Sequence, residues 1–417
     1  MFWGIFRCLY EKNGLKFDII VSPQNRQKQS PIMTKVYRTF AKVSSPCLFD
    51  YQTRKEALEV NGSPLAKLFD AFNFEKYRLD IVDCVKRETA KKKLASKGLP
   101  NKTPNLFNEQ DLAHVSPRDS VRLHRKDARG RRALDPVLMF TIVMFGVRYR
   151  LSDEELAFKL RDSHSFRVFL GLSENDRISR QSIWQYREYF TNGGLCQNLA
   201  RKHVEELTDA GLVGNSARIL DGSFVEARKQ RNTREENDLI KKQGKTAQDL
   251  WGTNPYKARQ KDTDARWTKK RSELHYGYKA HAYADEKSKF IIYLHTTPAN
   301  VHDSQVLEHV LSDEDTGMEL LADSAYSGQN HLEIVESFGM TPVVCEKGTV
   351  KAPLTEVQKQ NNRAKSKRRC RIEHIFGFIE NSMGGSFVRC IGLKRTAAYQ
   401  WLTMLAYNLC RQVQLQV

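Results

Sequence analysis

Asp221, Asp323 and Glu373 are the residues of this 417-residue chain whose surroundings suit chemistry on a phosphate ester. Asp221 closes the short apolar run Arg218-Ile219-Leu220-Asp221-Gly222-Ser223. Asp323 closes a second, Met318-Glu319-Leu320-Leu321-Ala322-Asp323-Ser324-Ala325-Tyr326. In both, the acid falls where a strand should stop and a turn begin. Glu373 lies instead in a basic, helix-permissive stretch, Arg369-Cys370-Arg371-Ile372-Glu373-His374-Ile375-Phe376-Gly377. Carboxylates brought together resist joint ionisation unless cations neutralise them, and hard Mg²⁺ or Mn²⁺ prefers such oxygen ligands. Two such ions about 4 Å apart activate an attacking oxygen and stabilise a leaving one in phosphodiester cleavage. Each acid alone also has a plainer role open to it. A strand-end aspartate caps the next turn, and a glutamate between arginines forms a surface ion pair.

The elements that must position these acids can be read around them. A strand over 216–221 carries Asp221 into the middle of a sheet, and a polar, basic excursion over 228–271 follows it as a mobile insertion that gains order on DNA. Strands are expected at 275–283 and 290–296 across a turn at 285–288, then a helix over 301–311 and a strand at 319–322. In a helix over 369–377, Arg369 and Gly377 share a face with Glu373, while Ile372, Ile375, Phe376 and Ile379 form a separate apolar stripe. His374 then points about 100° away from Glu373, which argues against its ligating the same ion. His302 is either an orienter of a carboxylate or a turn-capping histidine, and Asp303 suits a cap. An apolar helix with Leu402, Leu405 and Leu409 closes the chain.

Composition points to a polyanionic partner. Lys and Arg number 68 against 49 Asp and Glu, a formal net charge of +19. Lysines and arginines that neutralise phosphates release counterions and give sequence-independent affinity, so nucleic acid is the expected ligand. Arg363, Lys365, Lys367, Arg368, Arg369 and Arg371 form the densest phosphate-binding cluster. The eight cysteines, at 8, 47, 84, 196, 345, 370, 390 and 410, include no Cys-x-x-Cys pair, which excludes a zinc ribbon and fits reduced thiols in a cytoplasmic protein. The N-terminal apolar residues are broken by Arg7, Glu11 and Lys12, and the apolar run 137–147 is too short to span a bilayer.

Upstream, residues 1–118 are poorly defined, and Met33 is a candidate alternative start. Residues 119–200 read as helical. Asp135-Pro136 is a helix start, Ser152-Asp153-Glu154-Glu155 a capping box, and 180–190 a third helix mixing aromatic and polar groups. That third helix suits either a packing role or helix-turn-helix readout of DNA through Arg180, Gln181, Gln185 and Arg187.

Five ordered motifs resemble the DDE transposases of bacterial insertion sequences, specifically the insertion-sequence-five group. They are Leu220-Asp221-Gly222-Ser223-Phe224-Val225-Glu226-Ala227, Tyr276-Gly277-Tyr278-Lys279-Ala280-His281 and Thr297-Pro298-Ala299-Asn300-Val301-His302-Asp303, then Ala322-Asp323-Ser324-Ala325-Tyr326 and the 369–377 stretch. The resemblance covers roughly 129–412 and implies an α/β fold, a ribonuclease-H-like catalytic domain over 216–417 with mixed sheet and flanking helices, after a helical N-terminal domain. Asp221, Asp323 and Glu373 would be its metal-binding triad, with Lys279 among the motif cations. The implied activity is Mg²⁺- or Mn²⁺-dependent cleavage of double-stranded DNA at element ends followed by strand transfer, by a homodimer or higher multimer on DNA. Where members carry a tyrosine and a lysine, this chain has Ser366 and Glu380. That departure leaves open Glu380 as a rival acid, and a non-catalytic DNA-binding descendant or a related nuclease as alternative functions.

Overall fold

The computed structural model describes Leu68, residues 71–97, 122–123, 133–173, 176–270, 272–348 and 352–415. All of them belong to one compact unit, Arg54–Val417. Met33 lies outside the described residues, as does most of 1–118.

The sheet is built on strand β1, Ala217–Ala227. Its first four residues are buried, and from Asp221 to Phe224 it runs half-buried out of the core. The remaining strands are β2 (Arg266–Lys270), β3 (Glu273–Asp285), β4 (Ile291–Pro298), β5 (Glu319–Ala322), β6 (Thr341–Val344) and β7 (Phe387–Val388). Antiparallel β3 lies along one edge of β1 and parallel β5 along the other. β4 pairs antiparallel with the far side of β3, and β6 pairs parallel with β5. The spatial order β4-β3-β1-β5-β6, three antiparallel strands and then two parallel ones, is the ribonuclease-H-like arrangement. Gly277 permits the close approach of β1 to β3. Its φ is 148°, and a Cβ there would stand 2.3 Å from the Val225 carbonyl oxygen.

Helices cover the sheet. Upstream lie α1 (Arg78–Lys97), α2 (Pro136–Arg148), α3 (Asp153–Asp162), α4 (His164–Phe169), α5 (Arg180–Asn192) and α6 (Leu195–Asp209). Asp135 caps α2 at the Val137 amide and, fully buried, binds the Arg78 guanidinium at 2.9 Å. Ser152 and Glu155 form the expected capping box. The terminal helix, α14 (Leu393–Leu415), packs against α2, α6 and β4. Its buried Asn408 accepts from the Ile291 amide and donates to the Ile291 carbonyl, meeting both backbone groups of an edge-strand residue.

The insertion after β1 is an ordered layer rather than the mobile excursion expected. It forms α7 (Arg234–Gln243), α8 (Ala247–Trp251), α9 (Pro255–Gln260) and β2. Ile240, Trp251 and Ala258 make a small core, and the Trp251 indole N–H donates to Glu236 at 2.8 Å. Between β4 and β5 lies α10 (Leu307–Val310), and beyond β5 come α11 (Gln329–Ser337), α12 (Glu356–Arg369) and α13 (Arg371–Met383). The helix expected over 369–377 is therefore broken at Cys370, whose ψ of −11° tightens the turn. The Glu373 amide bonds the Cys370 carbonyl three residues back, so Arg369 and Glu373 do not share one continuous face. No helix among the described residues is long and apolar enough to cross a membrane.

Candidate functional site

Register alone brings two of the acids together. Ile219 on β1 pairs with Leu321 on β5, and the strands are parallel. Two residues further along each, Asp221 and Asp323 emerge side by side, where neighbouring strands stand about 5 Å apart. The Asp221 carboxylate takes the Gly222 amide at 2.8 Å and an Arg369 guanidinium N–H at 2.5 Å. Burial pushes its pKa up to about 6 from the usual 3.8. Arg369 and the Gly222 amide oppose that rise, and the neighbouring Asp323 adds to it. Asp323 caps a 3₁₀ turn, Ser324–Tyr326, by accepting the Ala325 amide at 2.8 Å.

Behind them lies a second group that strand-end logic did not reveal. Asp303 accepts from Lys279 at 2.9 Å, and Lys279 also donates to the Val301 carbonyl. A Cβ on Gly222 would lie 3.1 Å from both Asp303 Oδ1 and His281 Nδ1, so glycine is what lets this layer close beneath β1. His281 is fully buried, donates or accepts at Thr297 Oγ1, and has its pKa lowered to about 4 by burial. The buried Tyr326 hydroxyl has no hydrogen-bond partner among the described residues, and its pKa lies well above the ordinary value. Burial is the main cause, joined by Asp303, Asp221 and Asp323. His302 caps the turn beginning at Asp303, accepting the Ser304 amide.

Glu373 sits apart from this pair. It is exposed in the first turn of α13, and Glu380 is exposed further along the same helix. Among the described residues no three His, Cys, Asp or Glu side chains stand close enough to hold a metal ion together. The two aspartates nonetheless form a donor set of the hard kind. Asp323 has an oxygen without a partner among the described residues, and Asp221 has one held only by an exchangeable guanidinium. Mg²⁺ commonly uses one or two carboxylates and completes its shell with water and substrate phosphate.

The basic cluster divides into two kinds. Arg368 is bidentate to Glu286 and also reaches Glu319, and Arg371 donates to the Glu286 carbonyl. Lys365 caps the Val344 carbonyl at 2.8 Å. Arg187 is bidentate to Asp153, Arg180 stands 3.8 Å from Glu154, and Gln185 accepts from Lys92. Arg363 and Lys367 are exposed, with no ion pair among the described residues. The pairings span long sequence separations, which is why charge density along the chain does not disclose them. Of the expected readers on α5, Arg187 is thus tied to α3, whereas Gln181 and Arg180 remain exposed.

Comparison with known proteins adds to this geometry. Residues 214–409 match the family described as transposase DDE domain, and residues 105–189 match another described as transposase domain (DUF772). The transposase for insertion sequence element IS1106 of Neisseria meningitidis serogroup B is 27% identical over 231 residues, spanning 54% of this chain and 76% of that protein. Among solved structures, a piggyBac transposase synaptic complex with hairpin DNA aligns with a TM-score of 0.43 at 10% identity, over 84% of this chain and 74% of that one. A pre-cleavage Mos1 transpososome aligns with a TM-score of 0.15 at 9% identity, over 82% and 97%.

Proposed function

Since this chain belongs to the DDE transposases of bacterial insertion sequences, we propose that it cuts DNA at the ends of its element through Asp221 and Asp323. The freed 3′-hydroxyl strand is then joined to target DNA. The observation that carries this reading is the pairing of β1 with β5, which makes neighbours of two acids far apart in sequence. When bound, Mg²⁺ or Mn²⁺, one ion or two, supplies the charge that activates the attacking oxygen and offsets the negative charge developing on the leaving one.

The chain's own residues prepare that event. Arg369 balances Asp221 before any cation arrives, and the Gly222 amide fixes its rotamer. The Asp303 and Lys279 pair holds the backbone beneath Gly222. Glu373 is the third acid of the proposed triad, and the break at Cys370 gives α13 a point about which to bring it towards the aspartates once DNA is seated. Arg369 and Arg371 would then hold phosphates beside the cleavage point. Two copies synapse two element ends, so a dimer or higher multimer on DNA belongs to the same reading.

The test is cleavage of a labelled duplex carrying the element's own end, with Mg²⁺ and with EDTA. Wild type, Asp221→Asn, Glu373→Gln and Glu380→Gln are compared, with joining to a target plasmid followed in parallel. Metal-dependent nicking at the end, lost in the first two variants and kept in the third, is the expected result. Binding without cleavage by the wild type would instead mark a non-catalytic descendant. Nicking without joining would mark a nuclease.

A further inference from the structure

We propose that the outward face of α12 reads base edges of the DNA beside the scissile phosphate, with Gln360 and Arg363 as the sequence-determining side chains. This rests on the transposase reading and adds to it a specificity element.

The helix has no buried residue along its 14 positions, yet it is fixed firmly along one side. Asn362 exchanges two 2.9 Å hydrogen bonds with the Glu346 backbone, Lys365 bonds the Val344 carbonyl, and Arg369 binds Asp221. At about 100° per residue, Asn362, Lys365, Ser366 and Arg369 lie on one flank. The opposite flank carries Val357, Gln360, Arg363, Ala364 and Lys367, all exposed and without a side-chain hydrogen bond among the described residues. Val357 on this flank is 66% exposed. The side-chain types here suit a groove. Apolar side chains meet thymine methyls, a glutamine pairs in bidentate fashion with adenine, and an arginine does so with guanine. The neighbouring cations make the flank attractive to phosphates on either side.

The position of this flank is set by its anchor at the candidate site. At a rise of about 1.5 Å per residue, Arg363 lies roughly 9 Å and Gln360 roughly 14 Å along the helix from Arg369. With the helix laid along the duplex axis and Arg369 at the scissile phosphate, about 3.4 Å per base pair brings those side chains to the third and fourth base pairs. Lys367, closest to Arg369, faces backbone phosphate instead.

The experiment selects bound duplexes from a library in which the six base pairs around the element's cleavage point are randomised, using the full-length chain. The Asp221→Asn form serves as the background, so that cutting does not deplete the pool. The background protein should enrich defined bases at the third and fourth positions. Adding Gln360→Ala or Arg363→Ala should flatten that preference, narrowing the ratio between best and worst sequences about tenfold. Adding Lys367→Ala should weaken all sequences alike and reduce the salt slope by about one. If the first two variants weaken every sequence equally, or leave the preference intact, the face is not a base reader and the proposal falls, while the transposase function stands. Failure of the background protein to retain any end-bearing duplex would overturn the functional reading and this inference with it.

Discussion

Replacing Asp221 by asparagine should make the metal-free protein more stable, and by an amount that depends on pH in a defined way. Burial raises the pKa of this carboxyl to about 6 against 3.8 for the free group, even with Arg369 attached. Above pH 6 the aspartate is ionised in both folded and unfolded chains, and its charge is less well accommodated in the folded one. A raised carboxyl pKa contributes stability below the unfolded value that is lost as pH rises through the folded value. Each pKa unit is worth about 1.36 kcal/mol, so the wild type carries a penalty of about 3 kcal/mol at pH 8, shrinking to about 1.5 kcal/mol at pH 5. Asparagine has no charge to accommodate. The variant should therefore exceed the wild type by up to about 3 kcal/mol at pH 8 in EDTA, measured by chemical denaturation, with the gap roughly halved at pH 5. Added Mg²⁺ at pH 8 should close the gap from the wild-type side by binding the folded state. An asparagine variant that is less stable than wild type at pH 8, or a gap that does not narrow on acidification, would refute the argument that Asp221 is held against its preference to be neutral.

Other parts of the molecule give sharper structural outcomes. Gly222→Ala places a methyl 3.1 Å from Asp303 Oδ1 and His281 Nδ1. It should cost about 1–3 kcal/mol in a denaturant melt, and slow end cleavage more than that loss explains, because the Gly222 amide orients Asp221. Arg218→Met strands two buried carboxylates, Asp285 and Asp315, which now bind its guanidinium at 3.0 and 2.9 Å. A loss of about 3–5 kcal/mol is expected by the same melt. Trp251→Ala removes the central side chain of the three-residue core formed with Ile240 and Ala258. It should speed amide hydrogen exchange across 234–260 while leaving the protection of β1 and β5 unchanged, as followed by mass spectrometry.

What could be read from the chain beforehand depended on how local the physical signal was. Residues 319–322 were legible as a strand because four residues, mostly apolar, end at an acid, and the turn after it is capped by that same acid. The helix starts at Asp135-Pro136 and Ser152 were equally plain, since a cap and the amide that donates to it lie within three residues. The insertion was not, because its core rests on three side chains on three short helices and shows no periodicity. The break at Cys370 has no proline or glycine to announce it. Asp221 and Asp323 were identified individually, but the partner of Asp221 was not. Arg369 reaches it across 148 positions. In the same way, the quenching of Arg368 by Glu286 and of Arg187 by Asp153 removes charges that counting along the sequence assigns to DNA.

The two margins of the sheet carry a consequence for how copies of the chain can meet. On one side, Asn408 occupies both backbone groups of Ile291, and the strand ends at Pro298. On the other, Pro342 offers no amide, and Lys365 and Asn362 occupy the carbonyls of Val344 and Glu346. Sheet extension is therefore disfavoured at these two places, which leaves the outer edge of β2 as the exposed one among the described strands. On the proposed function, copies of the chain would then meet through side-chain surfaces, through β2 or through a shared duplex. In that reading a duplex holding two element ends would set how many copies assemble.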